Sequence, residues 1–155
     1  IHCSSSKILF KFSNILFQSR LIEGVFPKID SLIPSKYLNV LKFNKDELIS
    51  VIDRVSIFVN NELSNIIKLS ITDNGSVEFA SISNELGAAK EDVTAIESTI
   101  NSPMQIAFSS KYFSEALRSF DDNEVMVNFT GEIKPFTVTS EKDKNLIQLI
   151  LPVRA

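Results

Sequence analysis

The sequence contains no tryptophan, one cysteine and one histidine. Cys3 has no second cysteine with which to form an internal disulfide, and its neighbour His2 is the only imidazole. A cysteine nucleophile needs a base that a third group holds in place, and two adjacent residues do not supply that arrangement. These shortages argue against an internal disulfide, a cysteine–histidine metal site and nucleophilic catalysis at this pair.

Glycine and clustered acidic residues are also scarce. The four glycines are dispersed, so no glycine-rich loop is available to bind a phosphate group. Glu85, Glu91 and Asp92 resemble a catalytic acid pair or a cation site, but no second acidic cluster is present to complete either one. We therefore expect a protein that is not an enzyme and that needs no cofactor and no metal ion.

No apolar run approaches the roughly 18 residues that a membrane-spanning helix requires. The net charge of −3 and the isoelectric point near 5.2 argue against binding of nucleic acid over the whole surface, because such proteins are basic. The 16 lysine and arginine residues leave room for one basic face. The expectation is a cytoplasmic protein that makes no contact with a membrane.

The first 36 residues form a pattern of their own. The apolar stretches 7–12 and 15–22 flank a Ser13-Asn14 turn and predict a β-hairpin, after which Gly24 and Pro34 delimit a connector. An isolated hairpin is only marginally stable. We therefore predict that residues 1–36 are the end of a preceding domain and that residues 37–155 form one complete domain.

From Tyr37 onward the order strand, helix, strand, strand occurs twice. The predicted strands of the first unit lie around Leu41 and over 66–71 and 77–82, and those of the second lie around Ile106 and over 125–129 and 133–138. Asn44, with Glu47 three residues later, predicts the start of the first helix, and the second helix is expected to begin near Ser110.

Each predicted helix has one apolar stripe, which should pack against a sheet. The stripes consist of Leu48, Ile52, Val55 and Val59 in the first helix and Phe113, Ala116, Leu117 and Phe120 in the second. The two units together predict an α+β domain with approximate internal twofold symmetry, in which both helices lie on one side of antiparallel sheets.

The opposite helix faces carry basic residues. These candidates for contact with a polyanion are Lys45, Arg54, Lys111 and Arg118. Acidic Asp46, Asp53 and Glu115 lie among them, so the alternative of a merely solvated helix face remains open.

Two segments resemble the bacterial DNA sliding clamp family, the beta subunit of the replicative DNA polymerase. They are residues 17–27, FQSRLIEGVFP, and the apolar ending 149–155, LILPVRA, which we expect to be a strand. The resemblance covers almost the whole chain and identifies residues 1–36 as part of the middle clamp domain and 37–155 as the third, C-terminal domain. It implies a processivity factor: a homodimeric ring that encircles duplex DNA without sequence preference, with the helices lining the hole.

The resemblance also implies a groove that binds short linear peptides of DNA polymerase, clamp loader and repair proteins. The matching positions are Pro27, Ser31, Leu32, Ser109, Tyr112, Ile133, Pro135, Leu149, Ile150, Leu151, Pro152, Val153 and Arg154. Ser31 and Ser109 depart from the basic residue and the amide that are common in the family. Several of these residues, Ile133 and Leu149 among them, could equally be core residues of neighbouring strands.

Ile57 and Phe58 match apolar positions at the family's ring interface, although both could also belong to the core stripe. Without its first domain the chain is expected to be monomeric. An alternative is a protein-interaction module that uses the same groove and never surrounds DNA.

Overall fold

The computed structural model describes residues 1–26, 28–29, 31–59, 65–83 and 86–154. The chain divides into two compact units, Ile1–Asp30 and Ser31–Ala155. Pro27 and Glu85, which the sequence singled out, lie outside the described residues. The prediction that residues 1–36 and 37–155 belong to different domains stays a prediction.

The first unit is a three-stranded antiparallel sheet of β1 (His2–Cys3), β2 (Lys7–Phe12) and β3 (Ile15–Arg20), in that order. The predicted hairpin is confirmed, with Ser13 at its turn in the left-handed region, φ 50°. The second strand ends at Arg20 and not at Ile22, and β1 was not predicted.

In its described residues, the second unit contains nine strands and two α-helices. Its first half contains β4 (Asn39–Asn44), α1 (Lys45–Val55), β5 (Ile66–Ile71), β6 (Val77–Ser83), β7 (Gly87–Val93) and β8 (Glu97–Ile100). Its second half contains β9 (Met104–Ser109), α2 (Ser110–Arg118), β10 (Glu124–Phe129), β11 (Phe136–Thr139) and β12 (Gln148–Ile150). A 3-10 turn, Ser56–Phe58, follows α1.

The two halves exchange strands to form two antiparallel sheets. One sheet has the order β12-β11-β10-β4-β8, and the other has the order β7-β6-β5-β9. Thus β4 of the first half pairs with β10 of the second, and β9 of the second half pairs with β5 of the first. The predicted α+β class, with two helices and antiparallel sheets, is confirmed.

The prediction failed for some strands. The strand predicted over 133–138 begins only at Phe136, because the chain turns after Gly131, whose φ is +144°, and Ile133 lies in that turn with 74% of its surface exposed. The apolar ending forms a strand only over Gln148–Ile150, and residues 151–154 continue outside the sheet ladder. Strands β7 and β8 were not predicted.

Both helices begin where the sequence indicated, and every residue of the two predicted apolar stripes is buried. Asn44 precedes α1, and its side-chain oxygen accepts a hydrogen bond from Glu47 N at 3.0 Å. Ser109 occupies the corresponding position before α2, but its side chain forms no capping hydrogen bond. The two helix starts are therefore equivalent in position and unequal in capping.

We predict that Asn44→Ala lowers the free energy of unfolding by about 1 kcal/mol, because the Glu47 N–H loses its acceptor. Ser109→Ala is the matched control and should change stability by less than about 0.5 kcal/mol. Urea denaturation of both variants measures the difference. Equal losses would show that the Asn44 cap contributes nothing specific.

Candidate functional site

A groove of about 820 Å³ lies between the first turns of α2 and the last described residues of the chain. Seven of the predicted groove residues line it: Ser109, Tyr112, Leu149, Ile150, Leu151, Pro152 and Val153. The sequence interpretation missed five others, namely Asn65, Lys111, Glu115, Ala116 and Gln148. Glu115 lies three residues after Tyr112 on α2, so helical periodicity could have indicated it.

The side chains of the groove differ in burial. Tyr112 and Leu151 are 65% and 64% exposed, so two large apolar surfaces face the solvent across the groove. Ile150 is only 6% exposed and belongs to the hydrophobic core. Ile150 therefore anchors the segment, whereas Tyr112 and Leu151 remain available for contact.

We call residues 151–154 the terminal segment, and two interactions fix its position. Before the segment, β12 pairs with β11, with Ile150 opposite Phe136. Within it, Val153 N–H donates to the carbonyl oxygen of Ala107 at 2.7 Å, on the edge of β9 that faces away from β5. The groove wall is thus a short piece of chain between one strand pair and one backbone hydrogen bond.

A second cavity, of about 480 Å³, adjoins the groove at Val153, which lines both. Two other predicted residues, Ile133 and Arg154, line this second cavity and not the groove. The remaining lining residues are Lys68, Gln105, Ile106, Ala107 and Glu132. A carboxylate oxygen of Glu132 accepts a hydrogen bond from Gln105 N at 3.1 Å.

Three predicted groove residues line neither cavity: Ser31, Leu32 and Pro135. Ser31 and Leu32 are exposed, and the Pro135 carbonyl accepts a hydrogen bond from the Thr130 hydroxyl at 2.9 Å. Their assignment to the groove rests on the resemblance and stays a prediction.

The predicted polyanion-facing residues differ in their partners. The Arg54 guanidinium binds both carboxylate oxygens of Glu91 and thereby lowers the pKa of that carboxyl. Arg118 forms an ion pair with Asp53 at 3.1 Å, which joins α2 to α1.

The two lysines of this set have no carboxylate partner among the residues that the structure describes. Lys45 Nζ donates to the Phe120 carbonyl oxygen at 2.7 Å. Lys111 makes no hydrogen bond or ion pair with any residue that the structure describes. Each predicted arginine is thus paired with a carboxylate, whereas neither lysine is paired with a carboxylate of a described residue.

The remaining candidates are placed as follows. Ile57 is exposed and Phe58 is half-buried in the 3-10 turn after α1. Cys3 is exposed, and the described part of the chain contains no group of histidine, cysteine or acidic residues that could hold a metal ion. None of the described helices is long and apolar enough to cross a membrane.

Asp122 ties the connector between β11 and β12 to the start of β10. Its buried carboxylate forms an ion pair with Lys142 at 3.0 Å and accepts hydrogen bonds from the Ser140 hydroxyl at 2.9 Å and from Lys142 N at 3.3 Å. The Lys142 ammonium and these donors hold the pKa of Asp122 well below its ordinary value of 3.8, although burial opposes the shift. The connector leads directly into β12, so Asp122 helps to position the groove wall.

Comparison with known proteins decides the family. Residues 30–154 match the family model of the DNA polymerase III beta subunit, C-terminal domain. The chain belongs to the sliding clamp family. This membership agrees with the prediction that the chain is not an enzyme.

Beta sliding clamps of Staphylococcus epidermidis and Staphylococcus aureus are 40% identical to the chain over 154 residues. The match covers 99% of this chain and 40% of each relative, so the chain spans about two fifths of their length. The DNA polymerase sliding clamp of Bacillus subtilis superposes with a TM-score of 0.88 at 36% identity, over 99% of this chain and 40% of that one. The DNA polymerase III beta chain of Streptococcus pneumoniae gives 0.90 at 30% identity, over 99% and 41%.

We predict that the free energy of unfolding decreases as the pH is lowered from about 5 to about 2, in part through Asp122. Its pKa is depressed in the folded state, so its stabilising contribution is complete above its ordinary pKa and is lost as the pH falls through the folded value. Asp122→Asn should flatten the dependence in urea denaturation, whereas Asp121→Asn should not, because no described residue binds the Asp121 carboxylate. Identical pH slopes for the two variants would contradict this role.

Proposed function

We propose that the chain is part of a sliding clamp that acts as processivity factor for the replicative DNA polymerase in the bacterial cytoplasm. Family membership supports this proposal, since residues 30–154 match the C-terminal domain of the beta subunit. A ring requires the remaining three fifths of the relatives' length, so the closed ring is a property of a longer homodimeric protein. We expect the chain by itself to be monomeric.

The groove between α2 and the terminal segment is the observation that carries this proposal. Exposed apolar side chains of Tyr112 and Leu151 face a volume of about 820 Å³, which suits a few side chains of an extended peptide. The hydroxyl of Ser109 and the charged groups of Lys111 and Glu115 supply polar contacts that fix the peptide's orientation. The occupants would be short linear motifs of polymerase, clamp loader and repair proteins.

The helices would face duplex DNA with a low density of free positive charge. Arg54 and Arg118 are already paired with Glu91 and Asp53, and the net charge of the chain is −3. Each phosphate contact adds affinity that depends on salt, and many of them would hold the protein in one place. Few free cations therefore suit a protein that must stay near DNA and still move along it.

Ile57 and Phe58 would contribute to the ring interface. Ile57 lies in the 3-10 turn after α1, and its exposed side chain would supply apolar surface to this contact. This contact would be heterologous and closing, so it would generate a ring of two copies.

A second candidate is a peptide-binding module that never encircles DNA. The groove favours this alternative, because residues of the second unit alone line it and no ring is needed to form it. The groove is the same in both cases, so only a DNA-dependent measurement separates the two.

The clamp-family resemblance implies that the partners' motif is a glutamine followed by leucine and phenylalanine. We therefore predict saturable binding of a fluorescently labelled glutamine-leucine-phenylalanine peptide, measured by anisotropy, with a scrambled peptide as control. Deletion of residues 153–155 should abolish binding, because it removes Val153 from the groove lining. It should preserve the far-ultraviolet circular dichroism spectrum, because the one backbone hydrogen bond that residues 153 and 154 make to a described residue is that of Val153 N–H to β9. Leu151→Ser should weaken binding by about tenfold through loss of buried apolar surface.

An unchanged affinity after the deletion would contradict the assignment of the groove. Ile133→Ser is the matched control for Leu151→Ser, since Ile133 is similarly exposed but does not line the groove. Equal losses for the two variants would mean that surface hydrophobicity, and not the groove, captures the peptide.

We predict that Asp53→Asn strengthens binding to a short DNA duplex by releasing Arg118 toward the phosphates. One additional phosphate contact should steepen the slope of log K against log salt by about 0.9. Asp46→Asn is the control, because it removes the same charge from the same helix and no described residue binds the Asp46 carboxylate. Equal effects of the two substitutions would show that the loss of a negative charge, and not the release of Arg118, strengthens DNA binding, and would contradict the predicted contact.

A further inference from the structure

The equivalent strands β4 and β9 of the two halves differ in the number of strands that pair with them. In the first half, β4 has neighbours on both sides, β10 and the four-residue strand β8. In the second half, the corresponding strand β9 pairs with β5 on one side only. The terminal segment lies where a counterpart of β8 would lie, and its one backbone hydrogen bond to a described residue runs from Val153 N to Ala107 O.

The open side of β9 presents backbone groups at alternate residues. Because Ser110 N bonds Asn65 O across the β5–β9 pair, Gln105 and Ala107 fall at the positions that point away from β5. Gln105 N–H donates to the Glu132 carboxylate, and the Ala107 carbonyl accepts from Val153 N–H. Ala107 N–H has no acceptor among the residues that the structure describes, and Ala107 is 7% exposed.

The second cavity lies along this edge. Its lining includes Gln105 and Ala107 of β9 and two cationic side chains, Lys68 and Arg154, neither of which pairs with a carboxylate in the described chain. Glu132, the one acidic residue in the lining, is already engaged with Gln105 N. The cavity therefore combines an unsatisfied backbone donor with an excess of positive charge.

We infer that this second cavity binds an acidic, extended segment that flanks the partner's groove-binding motif. A peptide carbonyl would accept one hydrogen bond from Ala107 N–H beside the terminal segment, and a carboxylate two residues away would approach Lys68 and Arg154. Val153 borders both cavities, so one continuous peptide can pass from the groove to the β9 edge. This inference rests on the proposed peptide-binding function and adds the chemical character of the partner sequence.

The test uses two acidic peptides, in which two aspartates extend the glutamine-leucine-phenylalanine peptide at its N-terminus or at its C-terminus. Each is compared with the same peptide extended by two serines at the same end. Against the whole chain, one of the acidic extensions should bind about fivefold more tightly, the gain expected from one backbone hydrogen bond and an exposed charge pair. Lys68→Gln should reduce that gain and leave the serine-extended peptide unaffected. Lys144→Gln, at an exposed lysine outside both cavities, should preserve the gain.

Amide hydrogen exchange supplies an independent readout. The Ala107 N–H should exchange about tenfold more slowly when the acidic extension is bound than when the unextended peptide is bound. N-methylation of the extension removes its N–H donors and keeps its carbonyl acceptors, so the slow exchange of Ala107 N–H should persist. If the unextended peptide binds but no extension changes affinity or Ala107 exchange, this inference is wrong and the groove assignment stands. If the unextended peptide does not bind, both are wrong.

Discussion

The packing of Phe136 against Phe108 and Phe113 is the contact on which the domain depends. Phe136 lies on β11 of one sheet, Phe108 on β9 of the other, and Phe113 on α2, with ring centroids 5.0 Å and 5.8 Å from Phe136. All three rings are fully buried. Each aromatic pair contributes about 0.5–1.5 kcal/mol beyond its buried area, so the two sheets and α2 are fixed relative to one another by the same cluster.

The groove takes its shape from this cluster, because its walls are the immediate neighbours of the three rings. Ser109 follows Phe108 in the chain, Tyr112 precedes Phe113, and Ile150 pairs with Phe136 across β11 and β12. A change in the core would move all the walls together. The exposed residues can therefore be varied for recognition with little effect on packing, while the buried residues set the width of the groove.

The sequence predicted the features of the fold that depend on residues close together in the chain. The Asn44 cap and the helix stripes follow from spacing alone, whereas β7 and β8 are largely exposed edge strands whose polar residues give no apolar alternation. The exchange of strands between the halves depends on pairings far apart in sequence, and no local signal specifies it. The same limit applies to the site: the family resemblance indicated Tyr112, but Asn65 reaches the groove only because β5 pairs with β9.

The difference between the two halves explains why the duplicated fold leaves the edge of β9 open while it covers the equivalent edge of β4. An unpaired strand edge invites association with other chains. The first half covers β4 with β8, so that its edge is a four-residue strand with charged and polar residues, which disfavours such association. The second half covers β9 with a single backbone bond and one carboxylate, which leaves Ala107 N–H open. Charged Lys68 and Arg154 beside this edge disfavour pairing with a second copy of itself and leave the edge accessible to a segment of opposite charge.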